Sequence, residues 1–465
     1  MKKPDNLKFF MLATAFFAAI WACNPKIKTE GTSFLPIEVY KTPERPANQK
    51  HVLELRCKPI DTVRIAIIGL GMRGQDAVER LSYINEAKIV ALVDVVPENV
   101  ELAQKTLSNF IKPKARGYTG ANDWKTVCEG SDIDLIYVCT HWDLHTPIAV
   151  YAMEKGKHVA TEVPAALTLD EAWQLVNTAE KTQRHMMMLE NCNYDFFEMA
   201  TLNMAQQGVF GEIVHAEGAY IHDLRWLLFD TVNGYWDMWR LKHNQVKNGC
   251  MYPTHGIGPV AHALNIHRGD KMEYLVSVST NQFGLSAYAS EKFGENSEFA
   301  QRSYKRGDHN TTIIKTTKGK TIEIQHDVTS PRPYSRIHML SGTKGFAQKW
   351  PKKGIALEPN GHSYLTDKAL DSVLAIYEHP IVKEIGEMAK EVGGHGGMDF
   401  IMDYRLIYCL HHGLPLDQDV YDAAEWSAVI QLSNYSADNN GVPVIFPDFT
   451  RGAWNELKTV TYHKK

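Results

Sequence analysis

The chain predicts an α/β protein: an N-terminal doubly wound parallel sheet of the Rossmann type, followed by an α+β domain with an open, largely antiparallel sheet. Three observations carry this expectation. Residues 63–74, Val-Arg-Ile-Ala-Ile-Ile-Gly-Leu-Gly-Met-Arg-Gly, run from an apolar strand straight into Gly69-x-Gly71-x-x-Gly74, the strand–turn–helix of a dinucleotide-binding unit. Apolar runs and helical stretches then alternate up to about residue 190, as βαβ units do. Past about residue 193 the strands lengthen, and the pair 311–316 and 321–327 flanks Lys318-Gly319, a hairpin spacing that favours antiparallel pairing.

Taken in order, the chain opens with Lys2 and Lys3, then an apolar stretch from Phe9 to Ala22, then Cys23. Fourteen residues are too few to span a bilayer and suit the apolar centre of a secretory signal. Ile20-Trp21-Ala22-Cys23 resembles a bacterial lipobox, although Trp21 stands where a small residue is usual. Residues 1–23 therefore read as a lipoprotein-type signal, with Cys23 lipidated and the protein exported and membrane-anchored on the periplasmic or outer side. Ordinary cleaved secretion and an uncleaved anchor are the alternatives. Residues 24–60 carry Pro25, Pro36, Pro43, Pro46 and Pro59 without a sustained apolar period and read as a linker.

Residues 61–192 read as the Rossmann domain. Strands are expected at 63–68, 88–93, 134–139 and 157–161, with helices over Gln75–Tyr83, Pro97–Asn109 and Pro147–Lys155. Residues 193–465 form the second domain, with strands at 212–220, 274–279, 311–316, 321–327 and 336–341 and one face lining the cleft.

Each part of the glycine turn has its own physical reason. Gly69 makes the tight turn, Gly71 lets a pyrophosphate approach the backbone, and Gly74 permits close helix–strand packing. The helix N-terminus then offers free N–H groups and a favourable dipole to an anion. The second strand ends on Asp94, twenty residues past Gly74, where a carboxylate can accept the ribose hydroxyls. Val95, Val96 and Pro97 follow, with no arginine for a 2′-phosphate, so NAD is expected rather than NADP.

Composition narrows the partners. With 465 residues, 44% of them hydrophobic, the chain can bury more than one sizeable core. A formal charge of -4 and the lack of a basic run interleaved with aromatics argue against nucleic acid. The cysteines after Cys23 are scattered at 57, 128, 139, 192, 250 and 409 without metal-ligand spacing, so neither a zinc site nor a disulfide framework is implied. His141 and His145 are four apart but sit at a strand end without an evident third ligand, and no metal is expected.

In doubly wound folds ligands lie beyond the carboxyl ends of the strands, which here end in Cys139-Thr-His-Trp-Asp-Leu-His145 and Thr161-Glu-Val-Pro-Ala165. That order of motifs resembles the Gfo/Idh/MocA oxidoreductase superfamily. Two departures matter: Val163 replaces the lysine that assists hydride transfer in that family, and Met251 and Pro253 stand in its Asp-x-Gly-x-His while His255 matches. Longer segments are similar to glycoside hydrolase family 109, the NAD-dependent α-N-acetylgalactosaminidases. They include Glu162-Val-Pro-Ala-Ala166, Glu190-Asn-Cys192, Tyr194-Asp-Phe-Phe-Glu198, Tyr252-Pro-Thr-His-Gly256, Pro331-Arg-Pro-Tyr-Ser-Arg336 and Gly393-Gly-His-Gly-Gly-Met-Asp399.

The resemblance runs from residue 61 to the C-terminus and implies hydrolysis by oxidation, elimination, water addition and re-reduction. Cofactor contacts would be Gly69, Gly71, Met72, Arg73, Gly74, Asp94, Trp142, Asp143, Leu144, His145, Glu162, Val163 and Asn191. Substrate contacts would be Tyr220, Arg240, Tyr252, Pro253, Thr254, His255 and Tyr334. For acid–base work His255 and Tyr252 lead, Tyr252 through a cation-promoted phenolate, with Tyr194 and His222 in reserve. Asp399 could cap the helix after it, or Gly393–Asp399 could form a loop that brings backbone to the ligand. An NAD-dependent sugar or cyclitol dehydrogenase, and a carbohydrate-binding lipoprotein without turnover, remain the competing readings. Homo-oligomerisation stays open.

Overall fold

The computed structural model describes residues 37–465; the signal segment and Cys23 lie outside them. Among the described residues no helix is long and apolar enough to cross a membrane.

The first sheet has six parallel strands in the spatial order Arg116–Tyr118, Ala87–Val93, Val63–Ile68, Leu135–Val138, His158–Thr161 and Met186–Met188. Strand order reverses between Val63–Ile68 and Leu135–Val138, and such a switch point opens a crevice at the strands' carboxyl ends. Arg116–Tyr118 and Met186–Met188 were not expected, because three residues carry no readable period. The helix Pro97–Asn109 matches the expectation to the residue, with Pro97 at its first turn, where a missing N–H costs nothing. The first helix starts earlier than expected, at Met72 directly after Gly71.

The second sheet has nine strands, in the order Glu38–Val39, Val444–Ile445, Met272–Ser279, His309–Thr316, Thr321–Asp327, Ile213–Ile221, Met339–Gly342, Gly345–Gln348 and Gly354–Leu357. Its pairs are antiparallel except Glu38–Val39 with Val444–Ile445 and Thr321–Asp327 with Ile213–Ile221. The hairpin around Lys318-Gly319 is present, with Gly319 at φ 88°.

Three helices tie the sheets together. Val420–Asp438 opens with a capping box between Asp419 and Asp422. From this helix Ser427 Oγ accepts the Ala165 N–H at 3.2 Å and Gln431 Oε1 accepts the Leu169 N–H at 2.7 Å. Helices Pro380–Val392 and Met398–His412 return to the first sheet, where Phe400, Ile401 and Leu406 share a buried cluster with Ile65, Ile67 and Leu70. Each such side chain contributes roughly 1.5–3 kcal/mol through burial. Residues 38–60 also lie against this body: Val52 and Leu53 are buried, and the Val52 N–H donates to the Tyr421 hydroxyl at 3.1 Å.

Candidate functional site

The glycine turn divides its labour as the chemistry requires. Gly69 has φ 89°, and a Cβ there would lie 2.6 Å from the Cys139 carbonyl; one on Gly74 would lie 2.0 Å from the Gly69 oxygen. A Cβ on Gly71 would meet nothing within 4 Å. Protein packing thus demands two of the glycines, while the third faces the open space a pyrophosphate would fill. The helix behind it has neither a side-chain cap nor an acidic residue in its first turn, so its N–H groups remain for an anion. Asp94 closes the turn, accepting Leu70 N–H at 2.6 Å and Val96 N–H at 2.8 Å. These features fit NAD.

Beside the turn lies a network of paired charges. Arg73 donates to Glu162 Oε1 at 2.8 Å and to Asp399 Oδ2 at 2.9 Å. Asp399 also accepts Asn191 Nδ2 at 2.5 Å and lies 2.9 Å from His395 Nδ1. Arg80 continues the chain to Asp403 at 2.8 Å, whose other oxygen accepts the Tyr137 hydroxyl at 2.8 Å. Burial alone would raise the Asp399 pKa, yet Arg73, His395 and Arg80 outweigh it and hold the carboxyl well below its ordinary value. Burial likewise opposes the Arg73 charge, but Glu162 and Asp399 more than restore it. The helix Met398–His412 is capped at Gly397 rather than by Asp399, which corrects the capping alternative: Asp399 is the hub of the network. The approach to it, Gly393 to Gly397, keeps φ positive at every residue, His395 included.

The opposite wall is aromatic and comes from the second sheet. Strand Ile213–Ile221 packs so tightly on the start of helix Thr254–Ala263 that a Cβ on Gly218 would lie 2.0 Å from the Gly256 oxygen. This contact sets Tyr220 against His255, with ring centroids 5.4 Å apart, and against Tyr252, at 4.7 Å. His255 Nδ1 lies 2.7 and 3.0 Å from the two oxygens of fully buried Glu190. Burial would raise the Glu190 pKa, but His255 and the Cys192 N–H prevail and lower it. His255 Nε2 and the Tyr252 hydroxyl have no hydrogen-bond partner among the described residues. The Arg240 guanidinium lies over the rings of Tyr252 (4.5 Å), Trp142 (5.1 Å), Tyr235 (5.2 Å) and Tyr220 (5.9 Å). Its Nη1 donates to Tyr235 at 2.7 Å; among the described residues its buried Nη2 has no partner, nor has the buried Thr254 Oγ1.

Several expectations are revised by this geometry. Burial drives the Tyr252 pKa well above its ordinary value despite Arg240, so the phenol, not the phenolate, is its resting form. Tyr194 is buried away in the core, its hydroxyl 3.3 Å from Asp417 and its ring against Tyr462; it takes no part in this wall. His145 is equally buried, with Nδ1 2.7 Å from the Pro164 carbonyl and Nε2 3.0 Å from that of Thr140, so its ring braces the loops. Val163 is packed in the core, 3% exposed. His222 does join the wall: Nδ1 meets the Tyr220 hydroxyl at 3.1 Å, and Tyr334 sits edge-on at 5.1 Å. Burial, then Arg240, lowers the His222 pKa. Asp143 is exposed and lies 3.3 Å from His243, beside Trp142 and Leu144 in a short helix. Pro253 precedes the helix that carries Thr254 and His255.

Glu190, Arg80, Asp403 and His395 had no place in the expected site. Glu190 follows the short strand Met186–Met188, so the strand-end rule would have found it had that strand been legible. Glu190, Cys192 and His255 place potential ligand atoms within 4.8 Å of one another. Their contacts are mutual hydrogen bonds, and Arg336 Nη1 sits 3.2 Å from Cys192 Sγ, a cation where a metal would need the sulfur.

Comparison with known proteins agrees with this geometry. Residues 63–190 match the oxidoreductase family with an NAD-binding Rossmann fold, and residues 194–456 match the family described as glycosyl hydrolase 109, C-terminal domain. A Bacteroides fragilis protein named alpha-N-acetylgalactosaminidase is 53% identical over 418 residues, covering 90% of this chain and 97% of that one. A glycosyl hydrolase family 109 protein of Phocaeicola vulgatus is 48% identical over 97% of this chain and 98% of its own. Among solved structures, myo-inositol dehydrogenase from Lactobacillus casei, in complex with NAD(H) and myo-inositol, shares the fold with a TM-score of 0.57 at 18% identity. It covers 84% of this chain and 99% of its own. Glycine turn, oriented imidazole and sequence kinship converge: the chain belongs to glycosyl hydrolase family 109 and is a glycoside hydrolase carrying an NAD-binding Rossmann domain.

Proposed function

We propose that the protein releases terminal α-linked N-acetylgalactosamine from glycans through a cycle of C3 oxidation, C1–C2 elimination, water addition and re-reduction. The observation that carries the reading is the state of the carboxylates. Direct displacement needs a free pair of them flanking the glycosidic bond. Here Glu162 is bound by Arg73, Glu190 by His255, and Asp399 by Arg73 and His395. What remains available is an imidazole oriented by a carboxylate, among aromatic rings.

NAD would be held by the Gly69–Gly74 turn with Met72 and Arg73, by Asp94, by the Trp142–His145 segment, and by Glu162, Val163 and Asn191. When bound it would supply reversible acceptance of the C3 hydride; with the hydroxyl proton passing to solvent, C3 would become a ketone and the C2 hydrogen acidic. The residues do the rest. Tyr220, Arg240, Tyr334 and the Tyr252–His255 segment hold the sugar. Glu190 fixes the His255 ring through Nδ1, leaving Nε2 to take the C2 proton. Tyr252, a neutral phenol, donates a hydrogen bond to an oxygen of the sugar. The division of labour puts the cofactor on residues 61–192 and the sugar on 193–465, and Cys23 anchors an exported lipoprotein.

The decisive experiment uses protein lacking residues 1–23 and p-nitrophenyl α-N-acetylgalactosaminide in deuterated water without added cofactor. Release of p-nitrophenol with deuterium at C2 is expected. Release without C2 exchange overturns the redox route, and NADH accumulating with free sugar selects the dehydrogenase reading. Separately, Cys23→Ala in the full chain should move the protein from the membrane to the soluble fraction.

A further inference from the structure

Behind the aromatic wall is a small cavity lined by Trp142, Arg240, His243, Asn244, Arg306 and His326, among others, with no carboxylate in its lining. Its size admits about one water-sized occupant. Arg240 and Arg306 are both among its lining residues, and both are buried: Arg240 is 6% and Arg306 1% exposed. Among the described residues neither has a carboxylate oxygen within ion-pair distance, in contrast to Arg73, Arg80, Arg268, Arg336 and Arg405.

Hydrogen bonds account for only part of the two groups. Arg306 donates from Nη1 to Asn244 Oδ1 at 3.1 Å and from Nη2 to His326 Nδ1 at 3.1 Å. That same His326 nitrogen lies 3.3 Å from the Met251 N–H, so it serves as a neutral acceptor and offers no negative charge. Arg306 Nε and Arg240 Nη2 are buried without any hydrogen-bond partner among the described residues. Asp327 and Asp308 act on Arg306 only from a distance, and both have other work: Asp327 accepts the N–H groups of Thr329 and Ser330, and Asp308 those of Phe283 and Gly284. Two buried cations with unsatisfied N–H groups are costly in a low-dielectric interior. A neutral sugar in the cleft cannot offset that charge.

We propose that this cavity is an anion site that holds one halide, chloride in the cell, between Arg240 and Arg306. The size of the space selects a monatomic anion over sulfate or phosphate. The inference does not depend on the reaction assigned to the cleft.

The test uses the protein lacking residues 1–23, melted at constant ionic strength while sodium gluconate is exchanged for sodium chloride. The melting temperature should rise with the logarithm of chloride concentration once the dissociation constant is passed, and Arg306→Met should abolish that dependence. Crystals soaked in bromide should give an anomalous peak in contact with both guanidinium groups. A melting temperature indifferent to chloride, or a bromide soak that leaves the cavity without a peak, overturns the proposal. So does a chloride response that survives in Arg306→Met. If that variant does not fold, the chloride titration and the bromide peak of the unaltered protein decide alone.

Discussion

The two walls of the cleft handle charge in opposite ways. On the Rossmann side Arg73, Arg80, Glu162, Asp399 and Asp403 are bound to one another at hydrogen-bond distance. On the sheet side the cation Arg240 is surrounded by four rings, and the Tyr252 hydroxyl, the Thr254 hydroxyl and His255 Nε2 have no hydrogen-bond partner among the described residues. In the Rossmann-side network every charge lies against an opposite one, although Arg80 Nη1 and Nη2 have no hydrogen-bond partner among the described residues, and removing one partner exposes the others to an uncompensated charge. A wall of unpartnered polar groups gains its partners only from a ligand. Variants on the first wall should therefore cost stability, and variants on the second should cost turnover.

The largest expected effect lies at the joint between the walls. His255→Asn should lower kcat by about 10²- to 10⁴-fold, the usual worth of a positioned acid–base group, with little change in melting temperature. A comparable loss of stability would place His255 with the scaffold instead. Asp399→Asn is the converse. It leaves Arg73 and Arg80 without their shared anion and should cost about 3–5 kcal/mol in urea unfolding. A change below about 1 kcal/mol would mean that Glu162 and Asp403 suffice as counterions.

The difference between the walls also explains what could be read from the chain beforehand. The glycine turn and Asp94 were legible because strand, turn and helix sit within about thirty consecutive residues, where local rules apply. Helix Pro97–Asn109 was legible because Pro97 marks its start. The ionic wall was not: Arg80 meets Asp403 across 323 positions, and Tyr137 meets the same carboxylate across 266. No spacing rule reaches that far. Glu190 was hidden for a smaller reason, the three-residue strand before it. Tyr194 was misplaced because residue type and neighbourhood in sequence suit a cleft or a core equally well, and only packing against Asp417 and Tyr462 decides.

Acid should probe both halves of the fold by way of buried histidines. His158, at the start of a first-sheet strand, has its pKa pushed down from 6.5 to about 4, by burial first and Arg184 second. His338, before a second-sheet strand, is pushed to about 3, by burial and then Lys349. Between the folded and unfolded values the native state binds fewer protons, so stability is complete above about pH 6.5 and falls as pH drops. For His158 the loss reaches roughly 3 kcal/mol by pH 4. Asn at either position, keeping an acceptor, should flatten its share of the slope in melting temperature between pH 6.5 and 4. An unchanged slope would mean that the ring titrates as it does in the unfolded chain.

The smallest effect is the sharpest test of the unpartnered wall. Tyr252→Phe removes one hydroxyl and nothing else: the ring contacts with Trp142, Tyr220 and His255, and the Arg240 guanidinium 4.5 Å from the ring centroid, can all persist. Stability should stay within about 0.5 kcal/mol, as the hydroxyl loses no protein partner. The loss of one hydrogen bond to the sugar, about 0.5–1.5 kcal/mol, should lower kcat/KM by about two- to tenfold. How that loss divides is informative. A raised KM at constant kcat makes the hydroxyl a binding contact used equally in ground and transition states, whereas a lowered kcat at constant KM ties it to the reacting oxygen. An unchanged kcat/KM would remove the Tyr252 hydroxyl from the substrate's surroundings and leave its ring as a support for Arg240.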